Sequence, residues 1–309
     1  MLISICVATY QRPEGLKRLM AGLDRLIFKD RAVPQIEVIV VDNDPNCSAR
    51  AFCEQLKPNF KWSLKYFNEP QRGVSYVRNR AVIEADPDTA FVSFIDDDQV
   101  PEPAWMEELL KAQQSYDADV VAGPYLPFFP ATDVPKWVVK GGFFDSPRHT
   151  TGDLLKFTGT GNVLIRSQIL KQIDTIFDKR FALTGGEDTH LFMRIYRAGY
   201  KLVWADAAVV YEWIPQSRTN IKWILMRGYR SHSTYTICEK ELDPLLPVLV
   251  KRISTGSGRI AIGLITLLPS MLLGKSFSIT ALLQIFKGAG LLSGLMGGTY
   301  EEYQNIHGD

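Results

Sequence analysis

The sequence predicts an α/β protein: a parallel-rich sheet flanked by helices, followed by a hydrophobic helical extension. Three observations carry this. Short β-branched apolar runs alternate with helical periodicity over residues 1–125. Each run ends in polar residues, at the edge where open α/β sheets bind ligands. Residues 260–273 then carry no charge at all, and residues 277–296 carry only Lys287.

Taken in order, residues 2–7 form a buried first strand. They are apolar, but no basic segment precedes them and no small-residue cleavage site follows, so they are not read as a signal peptide. A helix opens at Pro13, with Leu16, Leu19, Met20, Leu23, Leu26 and Ile27 on one face. Residues 36–41 are the second strand and 91–95 another, the latter preceded by a helix on Val74, Val77, Ala81, Val82 and Ala85. Residues 126–240 are less regular. The stretch 128–150, with Pro130, Pro135, Pro147 and Gly141-Gly142, reads as an ordered loop over a site. A strand at 162–165 and a helix at 187–197 follow.

Composition narrows the function. With 35 Lys+Arg against 34 Asp+Glu the chain lacks the basic field of a nucleic-acid binder. Cys6, Cys47, Cys53 and Cys238 show no paired spacing, which argues against structural zinc or a disulfide scaffold and fits a reducing compartment. No Walker-type loop and no G-x-G-x-x-G is present.

Four clusters carry chemistry. Asp96-Asp97-Asp98 follows a buried strand, and three successive carboxylates either hold a hard divalent cation or form a solvated acidic turn. If the chain stays extended there, Asp96 and Asp98 share one face and Asp97 takes the other. Asp42-Asn43-Asp44 ends the second strand, where Asp42 either accepts from a base or ribose or closes an Asx-type turn. Arg72-Gly73 and Arg78-Asn79 open a helix that either attracts an anion or presents solvated charges. Gly185-Gly186-Glu187-Asp188 starts another, as a ligand-approach loop with a carboxylate base or as acids offsetting the macrodipole.

In this order, together with Val7-Ala8-Thr9-Tyr10-Gln11-Arg12-Pro13, these motifs resemble the family 2 glycosyltransferases over residues 2–235. The segment Tyr211-Glu212-Trp213-Ile214-Pro215 with Arg218 is similar to the branch that makes bacterial exopolysaccharides of the succinoglycan type. The resemblance implies a GT-A-type, Rossmann-like mixed sheet flanked by helices, with a nucleotide-sugar half over 1–125, an acceptor half over 126–240 and a separate helical region over 241–309. It also implies an inverting transfer from a nucleotide sugar, with uracil as base, to a saccharide or lipid-linked saccharide acceptor. Thr9 and Asp42 would hold base and ribose, with Arg78 near the uracil and Asp96 on the ribose. Tyr10, Arg12, Arg72 and Asp97 would complete the nucleotide site. Asp98 would bind Mn²⁺ or Mg²⁺, Asp188 would be the general base, and Glu187, Gly185 and Gly186 would meet the acceptor. Where many relatives carry a late histidine as metal ligand, this chain has Glu212, which either ligates or pairs with Arg218 or Arg227. Arg218, Arg227 or Arg230 could assist the departing diphosphate.

Two other classes compete. A nucleotidyltransferase would share the carboxylates but needs a glycine-rich basic loop after its first strand, which residues 9–13 match poorly. A non-catalytic binding subunit would have no need of Asp188 beside Glu187. The region 260–296 is expected to be a hairpin on the cytoplasmic face of the inner membrane, with Lys251, Arg252 and Arg259 near anionic headgroups; a buried hairpin or oligomer interface is the alternative.

Overall fold

The computed structural model describes residues 1–130 and 134–300. Its elements run β1 (Leu2–Thr9), α1 (Pro13–Asp24), β2 (Gln35–Asp42), α2 (Arg50–Leu56), β3 (Ser63–Asn68), α3 (Val74–Ile83) and β4 (Phe91–Ile95). Then come β5 (Gln99–Pro101), α4 (Trp105–Tyr116), β6 (Val120–Ala122), β7 (Tyr125–Phe128), α5 (Lys136–Lys140), β8 (Asn162–Arg166), α6 (Ser167–Lys171) and α7 (Glu187–Arg197). The chain continues through β9 (Leu202–Trp204), β10 (Val210–Trp213), α8 (Ile221–Leu242), α9 (Leu245–Leu273) and α10 (Lys275–Leu295).

Seven strands form one mixed sheet in the order β3-β2-β1-β4-β8-β6-β9, with β8 antiparallel to both its neighbours. A three-stranded sheet, β5-β10-β7, sits beside it. The alternation of β1 sends Ile3, Ile5 and Val7 to one face, against Leu16, Leu19 and Leu23 of α1 and Trp105 of α4. Cys6 goes to the other face, with Val77 of α3 and Leu191 and Phe192 of α7. Leu16, Leu19 and Leu23 have no exposed surface, and burying each such side chain stabilises the fold by roughly 1.5–3 kcal/mol. All four cysteines are free.

The register brings the polar strand ends together. Thr9 pairs with Asp42, and Asp42 with Asn68, while Cys6 opposite Phe94 sets the 96–98 segment beside the end of β1.

One expectation needs correction here and another a finer account. None of the described residues of 128–150 lines the cleft at the ends of β1 and β4. The stretch contains α5, and its Val138 and Phe144 pack with Ile224 of α8 and Ile279 of α10, so its prolines and glycines shape a brace for the C-terminal helices. Residues 131–133 of it lie outside the described residues, as do residues 301–309. The C-terminal pair is also longer than its uncharged run. α9 has 29 residues and carries Pro269 inside it; α10 has 21. The charges at Lys251 and Arg252 interrupt the apolar run without ending the helix, because both reach Glu239 of α8.

α10 lies along both α8 and α9. Small residues allow this: a Cβ at Gly290 would meet the Tyr229 carbonyl, and one at Gly294 the Ser233 carbonyl. The two backbones therefore touch where any larger side chain would separate them.

Candidate active site

A cavity of about 210 Å³ opens at the carboxyl ends of β1 and β4. Thr9, Tyr10, Arg12, Arg72, Arg78, Asp96, Asp97, Asp98 and Glu212 all line it, as do Asn43, Gly73 and Arg218.

The three carboxylates after β4 do not continue as a strand. The Gln99 N–H donates to the Asp96 carbonyl at 3.0 Å, closing a turn that aims all three into one cleft. The expected split of faces is thereby replaced. Each carboxylate meets a cation. Asp96 accepts from Arg78 Nη2 at 2.9 Å, Asp97 from Arg12 Nη1 at 2.9 Å, and Asp98 from Arg12 and Arg218 at 3.2 Å each. Asp97 also accepts from the Thr9 hydroxyl at 2.9 Å, which commits Thr9 to the floor of the site. Burial pushes the Asp97 carboxyl up to about 6 against the pull of Arg12. Burial raises Asp96 in the same direction, opposed by Arg78.

Glu212 reaches the cleft by strand pairing. β10 runs antiparallel to β5 with Glu212 opposite Gln99, and the Trp213 N–H donates to the Asp98 carbonyl at 2.7 Å. Glu212 Oε1 thus lies 3.4 Å from the same Arg218 Nη1 that contacts Asp98. Burial raises the Glu212 carboxyl, with Asp98 adding to the effect and Arg227 and Arg218 opposing it. Two oxygen donors gathered on one cation match what Mn²⁺ or Mg²⁺ asks of a site, so the donor set fits a hard divalent metal. Asp178, His190 and Glu241 also place ligand atoms within 4.8 Å of one another. Arg180 joins both of those carboxylates, at 2.6 and 2.7 Å, as Arg218 joins Asp98 and Glu212.

The Arg72 guanidinium lies 4.5 Å over the Tyr10 ring and donates to its hydroxyl at 2.8 Å, forming one wall. Asn43, not singled out as a site residue in the sequence, pins the opposite loop. Its Nδ2 donates to the carbonyls of Glu69 and Gln71 at 2.7 and 2.8 Å, and its Oδ1 accepts from the Gly73 N–H at 2.8 Å. Nothing in its local pattern distinguishes it from a turn asparagine.

Asp42 is not brought to the cleft. It has no exposed surface, and its carboxylate accepts from the backbone of Asp44 and Ala49 at 2.9 and 2.8 Å and from the Tyr66 hydroxyl at 3.1 Å. This is the Asx-type turn alternative.

At the start of α7, Glu187 is 1% exposed and ion-pairs with Arg78, which therefore ties it to Asp96. Glu187 Oε2 is buried without a hydrogen bond, and burial pushes the carboxyl up to about 7. Asp188 Oδ1 accepts from the Thr189 N–H at 2.6 Å, while Oδ2 faces Gly159. Its charge is felt by both Asp96 and Glu187. Gly186 caps α7 at φ 98°, and a Cβ there would strike the Thr234 side chain of α8. The glycine makes room for α8, and Gly185, Gly186 and Asp188 are not among the residues lining the cleft at β1 and β4.

Residues 4–174 match the profile of the family described as Glycosyl transferase family 2. This chain belongs to glycosyl transferase family 2. It is 30% identical over 299 residues, 96% of its length and 93% of the relative's, to the succinoglycan biosynthesis protein ExoM of Rhizobium meliloti (strain 1021). Its fold is similar to that of S. aureus TarS 1–349, with a TM-score of 0.55, 17% identity and coverage of 96% and 92% of the two chains. TarS 1–349 in complex with UDP-GlcNAc matches with a TM-score of 0.56, 17% identity and the same coverage. The family 2 chain is a glycosyltransferase with the GT-A-like mixed sheet that the motif order implied.

Proposed function

We infer that this glycosyltransferase transfers a sugar from a UDP-sugar, with inversion, onto a hydroxyl of a saccharide or lipid-linked saccharide in exopolysaccharide assembly. The observation that carries the reading is the convergence of Asp98 and Glu212 on Arg218 at the cleft that Arg78 connects to α7. TarS, which has this fold, is described in complexes with UDP and UDP-GlcNAc. ExoM supplies the exopolysaccharide context.

The nucleotide occupies the cleft between Tyr10–Arg72 and the 96–98 turn, with Arg12 and Arg78 orienting the carboxylates around it. Asp98 and Glu212 would hold a divalent metal, which supplies Lewis-acid stabilisation to the leaving diphosphate when bound. Arg218 adds a fixed positive charge at the same place. Asp188 Oδ2 takes the proton of the acceptor hydroxyl as its oxygen bonds to the anomeric carbon. The bond from that carbon to the diphosphate breaks on the opposite face, and the diphosphate leaves with the electron pair, so an α-linked donor gives a β-linked product. Glu187, held by Arg78, keeps the start of α7 in register with Asp96.

α9 and α10 are each long and apolar enough to cross a membrane by length and composition. Because α10 also packs along α8, the pair is read as lying in the cytoplasmic leaflet of the inner membrane, beside a cytoplasmic catalytic domain. The test of function is a panel of nucleotide sugars with Mn²⁺ or Mg²⁺, scored for slow hydrolysis and diphosphate release. Hydrolysis of a UDP-sugar is the expected result. Turnover of a nucleoside triphosphate alone would instead support nucleotidyl transfer, and binding without turnover of any sugar would support a non-catalytic subunit.

A further inference from the structure

Outside the cleft, an excess of positive charge lies in the C-terminal helices. Residues 245–295 contain five Lys or Arg and no Asp or Glu. Lys251 and Arg252 are neutralised by Glu239. Arg259 and Lys287 form no ion pair among the described residues, and neither does Arg227 of α8.

These three cations converge from three helices. The Lys287 stem lies against Gly228, next to Arg227, with its Cγ 3.4 Å from where a Cβ would stand. Arg259 Nη1 donates to Gln284 at 2.6 Å, one turn before Lys287 on the same face of α10. Lys287 feels the charges of both arginines. Arg227 is held over the rings of Trp223 and Phe144, at 5.3 and 5.8 Å. His232 adds no further positive charge: burial, Lys287 and Arg259 push it down to about 4, so it is neutral at physiological pH.

What surrounds the cluster narrows its ligand. One turn beyond Arg259, α9 exposes Ile262, Ile265, Leu268 and Leu272 on one face, by 57%, 74%, 75% and 91%. On the other side, the field of Arg227 reaches Glu212 in the donor cleft. A ligand matching this layout has an anionic group between an apolar chain and a head directed at the cleft. Arginine forks and a lysine between amphipathic helices are suited to phosphate oxygens.

The geometry points to a phosphate-binding site formed by Arg227, Arg259 and Lys287 that takes the phosphate or diphosphate of an amphiphilic acceptor, whose apolar chain lies on α9. Naming that ligand an acceptor rests on the glycosyl-transfer reading above; the site itself does not.

The test uses the full chain in neutral detergent with saturating UDP, so that the donor cleft is filled. In one arm inorganic pyrophosphate is titrated while the melting temperature is followed. In the other, flotation is compared on vesicles of phosphatidylcholine alone and of phosphatidylcholine doped with phosphatidic acid. The double variant Lys287→Gln with Arg259→Gln should lose the pyrophosphate-induced rise in melting temperature. It should also bind phosphatidic-acid vesicles about tenfold more weakly than wild type. Lys287→Arg, which keeps the charge, should behave as wild type. Without ligand the double variant should melt higher than wild type, since it relieves the like-charge repulsion; a lower melting temperature with pyrophosphate protection intact would overturn the site. Loss confined to the pyrophosphate arm would assign a soluble phosphate and overturn the amphiphile. Failure of wild type to bind UDP would sink the UDP-sugar reading while leaving the phosphate site standing.

Discussion

Asp98 and Glu212 contact one nitrogen, Nη1 of Arg218, at 3.2 and 3.4 Å, although one closes a turn after β4 and the other lies in β10. Their meeting depends on the small sheet, which sets Glu212 opposite Gln99. The guanidinium and a divalent cation would satisfy the same two carboxylates, so metal binding and the position of Arg218 are coupled.

Asp98→Asn should therefore leave the fold intact and weaken metal-dependent binding of UDP by at least about 100-fold. Calorimetry with UDP and Mn²⁺ checks this. Glu212→Gln should weaken the metal in the same direction, and unchanged affinity in both variants would remove the pair from metal binding.

Asp188→Asn should bind UDP as wild type does and turn over about 10²-fold more slowly or worse, as loss of a general base requires. Full turnover in that variant would mean that the acceptor proton leaves by another route.

The buried carboxylates predict a pH dependence. Glu187 is raised to about 7 from an ordinary 4.5, and Asp97 to about 6 from 3.8. A raised acid binds its proton more readily folded than unfolded, so its contribution is fully present below the unfolded value and is lost as pH climbs towards the folded one. Unliganded protein should lose stability through these groups between about pH 4 and 7. Carboxylates held low, such as Asp178 beside Arg180, act in the opposite sense and at lower pH. Glu187→Gln should gain stability relative to wild type as pH rises from 5 to 7.5, by up to about 3 kcal/mol. Denaturant unfolding of both proteins at the two pH values measures it.

On the membrane, Ile265→Glu with Leu268→Glu should reduce pelleting with vesicles without lowering the melting temperature, because both side chains are exposed. Ending the chain after Asp243 is a poor alternative, since it strips α10 from α8 and bares the face around Tyr229 and Ser233. Equal pelleting of the double variant would place the membrane contact elsewhere.

Elements with a strong apolar signal were legible in the sequence: the continuous run of β4 at 91–95 and the helix α7 at 187–197 have the bounds that the sequence predicts. β6 and β9, three residues each, were not, because so short a run has no period to read. The acidic residues were found, but their directions were not. Asp42 satisfies itself in a turn, and Asp96 to Asp98 fold into another, because the choice rests on which backbone N–H groups lie nearby. Arg218 entered the sequence reading as one of three interchangeable arginines. Its contacts with Asp98 and Glu212, which the pairing of β10 with β5 brings together, distinguish it.

α8 has Thr234 wedged behind Gly186 on one side and Tyr229 and Ser233 pressed against the glycines of α10 on another. At Gly290 and Gly294 the two helices touch backbone to backbone, which leaves little slack there to absorb a tilt. The C-terminal hairpin and the first turn of α7, which carries Asp188, thus behave as two ends of one strut. On the membrane reading proposed above, the bilayer would be more than an anchor: it would supply the reference plane from which the height and angle of Asp188 are set.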